Sequence, residues 1–109
     1  MKSTIPNRSV EYMDNRISRY SMKMGECEIT GIDLSAHEAH CHHYIPLHLG
    51  GTDKFHNLRI LHEEIHKLIH HTDKEMIDVL ISRFGMTKSM IEKVNKYREK
   101  CGLKLIEQS

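Results

Sequence analysis

The sequence predicts a single α+β domain, in which a short antiparallel β-hairpin is followed by a helix, with one helix before this core and an αα-hairpin after it. Three observations lead to this prediction. Apolar residues recur at helical spacing before Gly25, two short segments that can form strands flank a Gly50-Gly51 turn, and helix-capping sequences begin at Thr72 and Ser89. The length of 109 residues suffices for one small domain with one core.

The sequence of the N-terminal region predicts a flexible arm followed by a helix. Residues 1–8 are expected to form a flexible arm, because Pro6 and Asn7 disfavour regular structure. Residues 9–109 are assigned to the single domain, which opens with a helix from Ser9 to about Met24. The apolar positions expected on its buried face are Val10, Met13, Ile17, Tyr20 and Met24.

Residues 39–71 are expected to form the central core, which consists of the hairpin and the helix after it. Residues 39–46 can form a strand that ends at Pro46, and the double glycine can adopt the positive φ angles of a tight turn. Residues 57–61 are expected to form the second, antiparallel strand, and residues 62–71 a short helix. The side chains expected to face inward are Leu61, Ile65, Leu68 and Ile69.

Residues 72–108 predict the C-terminal αα-hairpin. Thr72 with Glu75 and Ser89 with Glu92 match the capping-box pattern, so each serine or threonine is expected to be an N-cap. The two helices should end at Gly85 and Gly102. Their expected apolar positions are Met76, Val79, Leu80 and Phe84 in the first helix and Met90, Val94 and Tyr97 in the second.

Composition argues against a membrane or secreted protein. No apolar run approaches the ~20 residues of a membrane span, and the N-terminus lacks the apolar stretch of a signal peptide. The three cysteines are too few, and odd in number, for a disulfide framework. We therefore expect a reducing compartment and a cytoplasmic protein.

Charge is distributed unevenly along the chain. The net charge is +3 over residues 1–24 (five basic, two acidic), −4 over residues 25–71 (three basic, seven acidic) and +2 over residues 72–109 (eight basic, six acidic). A bound dication would offset part of the central negative charge, and the basic flanks could meet DNA phosphates. The candidate phosphate contacts are Arg59, Arg16 and Arg19, although a solvated basic surface would look the same.

Several of the ten histidines are spaced in a way that indicates a metal site. His66 and His70 are at positions i and i+4 of the predicted helix, so they share one face. Adjacent strand residues point to opposite sides, so one histidine of the His42–His43 pair should face that helix and the other should not. We therefore predict a metal site formed by His42, His66 and His70, with His43 left free as a general base. Asn57 can bond two backbone groups and fix the loop beside His43.

These residues, with Pro46 and Gly50-Gly51, resemble the motif of the HNH endonucleases, the ββα-metal fold. The resemblance implies a metal-dependent DNA endonuclease. In that family, the first histidine of the pair binds the metal together with the helix histidines. The second histidine of the pair activates water, and the asparagine braces the loop. The implied roles fall on His42, His66 and His70 for the metal, His43 for catalysis and Asn57 for bracing.

Segments outside the core widen the resemblance. Residues 11–16, 27–31, 40–43, 57–62 and 70–73 are similar to the C-terminal endonuclease domain of group II intron reverse transcriptase/maturases, over roughly residues 10–107. This similarity implies nicking of DNA and a link to intron mobility. An intron RNA or a reverse transcriptase domain is then a candidate partner beside DNA, and the protein could act as a monomer or a dimer.

The resemblance has one departure. Many HNH nucleases hold a structural zinc with two C-x-x-C pairs, but here the corresponding positions are Cys27, Thr30, His62 and Ile65. Two of the four ligands are missing, so we expect no structural zinc of the four-cysteine kind. Cys27, Cys41 and His62 could still gather around an ion, as a minor alternative.

The metal and the activity leave alternatives open. One divalent ion is expected, with Mg²⁺ or Mn²⁺ for catalysis, whereas three imidazoles would also capture Zn²⁺ or Ni²⁺. The alternative functions are a free-standing toxin-type HNH nuclease and a non-catalytic nucleic-acid-binding module that keeps the fold. The other histidines (His37, His48, His56 and His71) are expected to be ordinary surface or core residues.

Overall fold

The computed structural model describes residues 10–107, and the predicted arm at residues 1–8 lies outside them. Over residues 10–107 the architecture is α+β, with four helices and one two-stranded antiparallel sheet. In chain order the elements are α1 (Val10–Met22), β1 (Ala39–His43), β2 (Leu58–His62), α2 (Glu63–His70), α3 (Lys74–Arg83) and α4 (Lys88–Lys100), with 3-10 turns at Leu47–Leu49 and Phe55–Asn57. Within these residues no helix is both long and apolar enough to cross a bilayer.

The hairpin and the helix after it form the predicted core. Strand β1 ends at His43 rather than Pro46, and β2 begins at Leu58, because Asn57 closes a 3-10 turn instead of opening the strand. His42 pairs with Arg59 across the sheet. The predicted inward residues of this region are all fully buried: Leu61, Ile65, Leu68 and Ile69.

The stripe predicted for α1 was wrong in part. Val10, Ile17 and Met24 are 77%, 62% and 83% exposed, and Tyr12 is the buried residue of the helix. The face turned towards the domain carries polar groups instead. Asn15 Nδ2 donates to the backbone oxygen of Asp53 at 3.1 Å, and Arg19 pairs with Glu28. Specific polar contacts therefore orient this helix, and they override the apolar spacing.

Glu28 closes the outer edge of β2. Its Oε2 accepts a hydrogen bond from the backbone N–H of Ile60 at 2.7 Å, and its own N–H donates to the oxygen of Ile60. The same carboxylate binds the Arg19 guanidinium, with Nη2 to Oε1 at 2.7 Å. The turn-rich segment after α1 thereby satisfies backbone groups that a two-stranded sheet would otherwise leave unpaired.

The C-terminal helices form as predicted, but their caps and packing differ. Asp73, not Thr72, caps α3, and Thr87, not Ser89, caps α4, each accepting a hydrogen bond from an N–H two or three residues later. In α3 the buried residues are Ile77 and Leu80, whereas the predicted Met76 and Val79 are half exposed. Both helices pack against α2, so α2 lies at the centre of the helical layer.

Candidate metal centre and its cleft

Three imidazoles converge between the hairpin and α2. His42 extends from β1, one residue before its end, and His66 and His70 extend from one face of α2, one turn apart. One nitrogen from each ring lies within 4.8 Å of the others. The structure therefore brings together the three residues predicted as metal ligands, and within residues 10–107 they form the one group of this kind.

His42 Nε2 supports a metal-binding interpretation. The residue is 3% exposed, and among the described residues this nitrogen has no hydrogen-bond partner. A buried polar atom without a partner costs about 1–3 kcal/mol, so its presence needs a reason. Three imidazole nitrogens suit Zn²⁺, Ni²⁺ or Co²⁺ and leave coordination positions open for water and substrate. The residues present thus fit a divalent ion.

The electrostatics favour the neutral rings that metal binding requires. Burial, reinforced by repulsion from His66 and His70, lowers the pKa of His42 to about 3. Burial and the neighbouring His70 lower the pKa of His66 to about 4. Burial, followed by the positive charge of Arg98, also lowers the pKa of His70. At neutral pH these ligands need lose no proton before they bind an ion.

His40 contacts the cluster from the same face of β1. Its Nδ1 lies 3.2 Å from Nδ1 of His66. One of these nitrogens donates its N–H and the other accepts the hydrogen bond. The contact fixes the orientation of the His66 ring and leaves its Nε2 as the nitrogen that could bind a metal ion. Sequence reasoning did not assign His40 this role, although its i, i+2 spacing from His42 in a strand was a usable signal.

Both ends of α2 are held by side chains. His62 caps the N-terminus, with Nδ1 accepting from the N–H of Glu64 at 3.0 Å. At the C-terminus the buried Arg98 of α4 donates to the carbonyl oxygens of Leu68, Ile69 and His71, at 3.3, 3.0 and 2.7 Å. A cation at this end also complements the helix dipole. The last turn of α2, which carries His70, is therefore fixed by a residue that the sequence did not identify.

His43 occupies the other face of the hairpin. Its ring stacks on Tyr12 of α1, with 5.7 Å between centroids, and its Nε2 lies 2.8 Å from Oδ1 of Asp53. Because a carboxylate only accepts, Nε2 carries the proton and Nδ1 keeps the lone pair. Asp53 was not predicted as a partner of His43. The sequence shows only that an acidic residue follows closely after Gly50-Gly51.

Asn57 makes the loop contacts that its amide allows. Its Oδ1 accepts from the N–H of Ile45 at 2.9 Å, and its Nδ2 donates to the oxygens of Ile45 and Thr52 at 3.0 and 2.8 Å. The residue is 4% exposed. It therefore ties the segment directly after His43 to the segment directly before Asp53.

The two adjacent glycines are required for different structural reasons. Gly50 adopts φ +97°, the positive angle that was expected. Gly51 does not, but a Cβ there would overlap the carbonyl oxygen of Ile45. Gly51 is thus required by a close approach of two backbone segments.

The three predicted phosphate contacts differ in environment. Arg19 is bound to Glu28 and lies over the ring of Phe55, so its guanidinium holds the fold together. Arg16 borders an apolar hollow beside Ile17 and Ala36, which none of the three cluster histidines lines. Arg59 lies directly opposite His42 in the sheet register, and opposite residues of a pair share a face.

The positions related to a structural zinc have other roles. Cys27 and Ile65 are buried in the apolar core, and Thr30 Oγ1 accepts a local hydrogen bond from the N–H of Ile32 at 3.4 Å. His62, as described, caps α2.

A cleft of about 650 Å³ opens beside the cluster. Its lining includes all four histidines assigned to metal binding and catalysis, with Cys41 and Cys101 on its wall. A second hollow, of about 260 Å³ between α3 and the C-terminal segment, lies apart from these histidines. The larger cleft is therefore bordered by both the three candidate metal ligands and His43.

Comparison with known proteins adds no relative from which a function could be transferred. No family model, no curated protein and no solved structure matches this chain.

Proposed function

We propose that this protein is a metal-dependent DNA endonuclease of the HNH, or ββα-metal, class that hydrolyses phosphodiester bonds with His43 as general base. One observation carries the proposal. The three-histidine cluster with its unpartnered His42 Nε2 and an Asp53-oriented His43 line the same cleft. The hairpin-helix architecture and the motif resemblance support the same class.

His43 is suited to remove a proton from water. Its Nε2–H bond to Asp53 leaves Nδ1 as the basic nitrogen, and the carboxylate stabilises the imidazolium that forms when Nδ1 takes the proton. Tyr12 and the bonds of Asn57 restrict the ring and its loop. A divalent cation bound by His42, His66 and His70 would supply positive charge to the phosphate and to the leaving oxygen.

The substrate is proposed to be duplex DNA, cut one strand at a time, since the described chain holds one such cluster. The maturase resemblance extends the proposal to intron mobility, with an intron RNA or a reverse transcriptase domain as the partner that directs targeting.

A plasmid-nicking assay tests this function. The purified chain is stripped with EDTA and then given Mg²⁺, Mn²⁺, Zn²⁺ or Ni²⁺, with His43→Ala and the exposed His37→Ala as a matched pair. We expect open circular DNA only with metal, from wild type and His37→Ala but not from His43→Ala. Cleavage by His43→Ala at the wild-type rate, or cleavage that persists in EDTA, would refute the proposal.

A second candidate is a non-catalytic, metal-stabilised nucleic-acid-binding module. The observation in its favour is the burial of His42, which stacks on Tyr97 at 5.4 Å between centroids, as a purely structural ligand would. This candidate predicts that metal raises the melting temperature and that no metal supports nicking.

A further inference from the structure

Two cations lie against one aromatic ring beside the cleft. The Arg59 guanidinium carbon is 4.7 Å, and the Lys100 ammonium 5.9 Å, from the centroid of the Tyr44 ring. Arg59 comes from β2 and Lys100 from the last residue of α4, so two distant elements deliver these charges to one place. We call Tyr44, Arg59 and Lys100 the Tyr44 patch.

The Tyr44 patch adjoins the metal ligands. Arg59 is the cross-strand partner of His42 and therefore lies on the face that carries the cluster. Tyr97 contacts both sides, with ring centroids 5.4 Å from His42 and 5.1 Å from Tyr44. Cys101, the residue after Lys100, lines the cleft itself. The Tyr44 patch and the histidine cluster therefore lie on the same face of the hairpin, with Tyr97 between them.

The charges of the Tyr44 patch are available to a ligand. Over residues 10–107 neither Arg59 nor Lys100 forms an ion pair with a carboxylate, in contrast to Arg19 and Lys67. Arg59 is also held in place, because its Nη1 donates to the carbonyl oxygens of His56 and Leu58 at 2.7 and 3.0 Å. A guanidinium that is already positioned loses less conformational freedom when it binds an anion.

We infer that Arg59 and Lys100 bind the DNA backbone phosphate next to the one at the histidine cluster, and so set the path of the strand into the cleft. This inference rests on the proposed nuclease function and adds the substrate-positioning residues. The contact is with the backbone, so it contributes affinity and register but no sequence preference.

The test is the salt dependence of DNA binding, measured by fluorescence anisotropy with a labelled duplex in EDTA, so that no cleavage is needed. Each phosphate contact contributes about 0.9 to the slope of log Kobs against log salt concentration. Lys100→Gln is the main variant because Lys100 is exposed, and Arg59→Gln is the second. Lys88→Gln is the matched control, because Lys88 is exposed at the other end of α4, about 18 Å away along the helix.

We expect Lys100→Gln and Arg59→Gln each to reduce the slope by about 1, and Lys88→Gln to leave it unchanged. Equal slopes for Lys100→Gln, Lys88→Gln and wild type would overturn the inference. So would Lys100-dependent binding of an RNA hairpin without binding of duplex DNA. Failure of the nuclease proposal is distinguishable, because it appears as absent nicking while the slopes still differ.

Discussion

At the scale of single residues, neighbours in the chain serve opposite sides of the hairpin. His42 turns towards α2 and joins the three-histidine cluster, whereas His43 turns towards α1 and Asp53. The alternation of side chains along a strand made this separation predictable from the sequence. Asp53 was not predictable in the same way, because its contact with His43 depends on the path of the loop.

Asp53→Asn tests the orientation assigned to His43. An amide can donate to Nε2 and so favour the tautomer with the proton on Nδ1, which removes the basic nitrogen. We expect the nicking rate to fall at least about tenfold while metal affinity is retained. The comparison variant is Asp33→Asn in the turn before β1. Unchanged nicking by Asp53→Asn would show that the carboxylate does not orient the base.

His40→Ala tests the contact between His40 and the ligand His66. Loss of a partner behind a metal ligand typically weakens binding by about 10- to 100-fold, because the ligand ring is no longer held. We expect a drop of that order for Co²⁺ or Zn²⁺, measured by calorimetric titration. His37→Ala, in the exposed segment before β1, should bind metal like wild type. If His40→Ala does so too, the contact has no role in the site.

At the scale of elements, α2 and the loop after β1 place the functional groups. The spacing of His66 and His70, and the burial of Ile65, Leu68 and Ile69, were evident from the sequence because both follow helical periodicity. The stripe of α1 was predicted wrongly because its orientation depends on Glu28 and Asp53, which are distant in the chain. The role of Arg98 was missed for the same reason.

Arg98→Met tests how α2 is held. The substitution removes the charged donor that binds the carbonyl oxygens at the end of α2. Because these oxygens lose their partner, we expect a loss of about 2–3 kcal/mol in the free energy of unfolding. We also expect weaker metal binding, since His70 lies in that last turn. Urea denaturation measures the first effect. Arg83→Met, on an exposed arginine of α3, should change stability by less than about 1 kcal/mol.

The paired glycines provide an internally matched test of the loop. Gly50→Ala places a side chain at φ +97° with open space around it, which costs about 1–2 kcal/mol. Gly51→Ala forces a methyl group into the Ile45 carbonyl, so we expect a larger loss of stability and reduced nicking, because the segment after His43 must move. An equal loss of stability for Gly50→Ala and Gly51→Ala in urea denaturation would contradict the close backbone approach assigned to Gly51.

At the scale of the whole molecule, the free energy of unfolding depends on the protonation of His42, one of the three candidate metal ligands. Its pKa is about 3 in the folded chain and near 6.5 when exposed, so the unfolded state takes up the proton first as pH falls. The stabilising contribution is complete above pH 6.5 and declines as the pH drops towards 3.

For the metal-free protein, we expect His42 alone to cost about 2 kcal/mol of stability between pH 6.5 and pH 5. Denaturant unfolding at a series of pH values measures this loss. His42→Phe, which keeps a ring against Tyr97, should make the pH dependence less steep and leave the part that His66 and His70 contribute. A wild-type curve no steeper than that of the variant would mean that His42 is not buried in its neutral form.

The proposed mechanism requires that the adjacent residues His42 and His43 have separate roles. The most direct measurement follows metal binding and plasmid nicking together for wild type, His42→Ala and His43→Ala. We expect His43→Ala to bind metal like wild type but not to nick DNA, and His42→Ala to lose both metal binding and nicking. Wild-type nicking by His43→Ala, or wild-type metal affinity in His42→Ala, would contradict this mechanism.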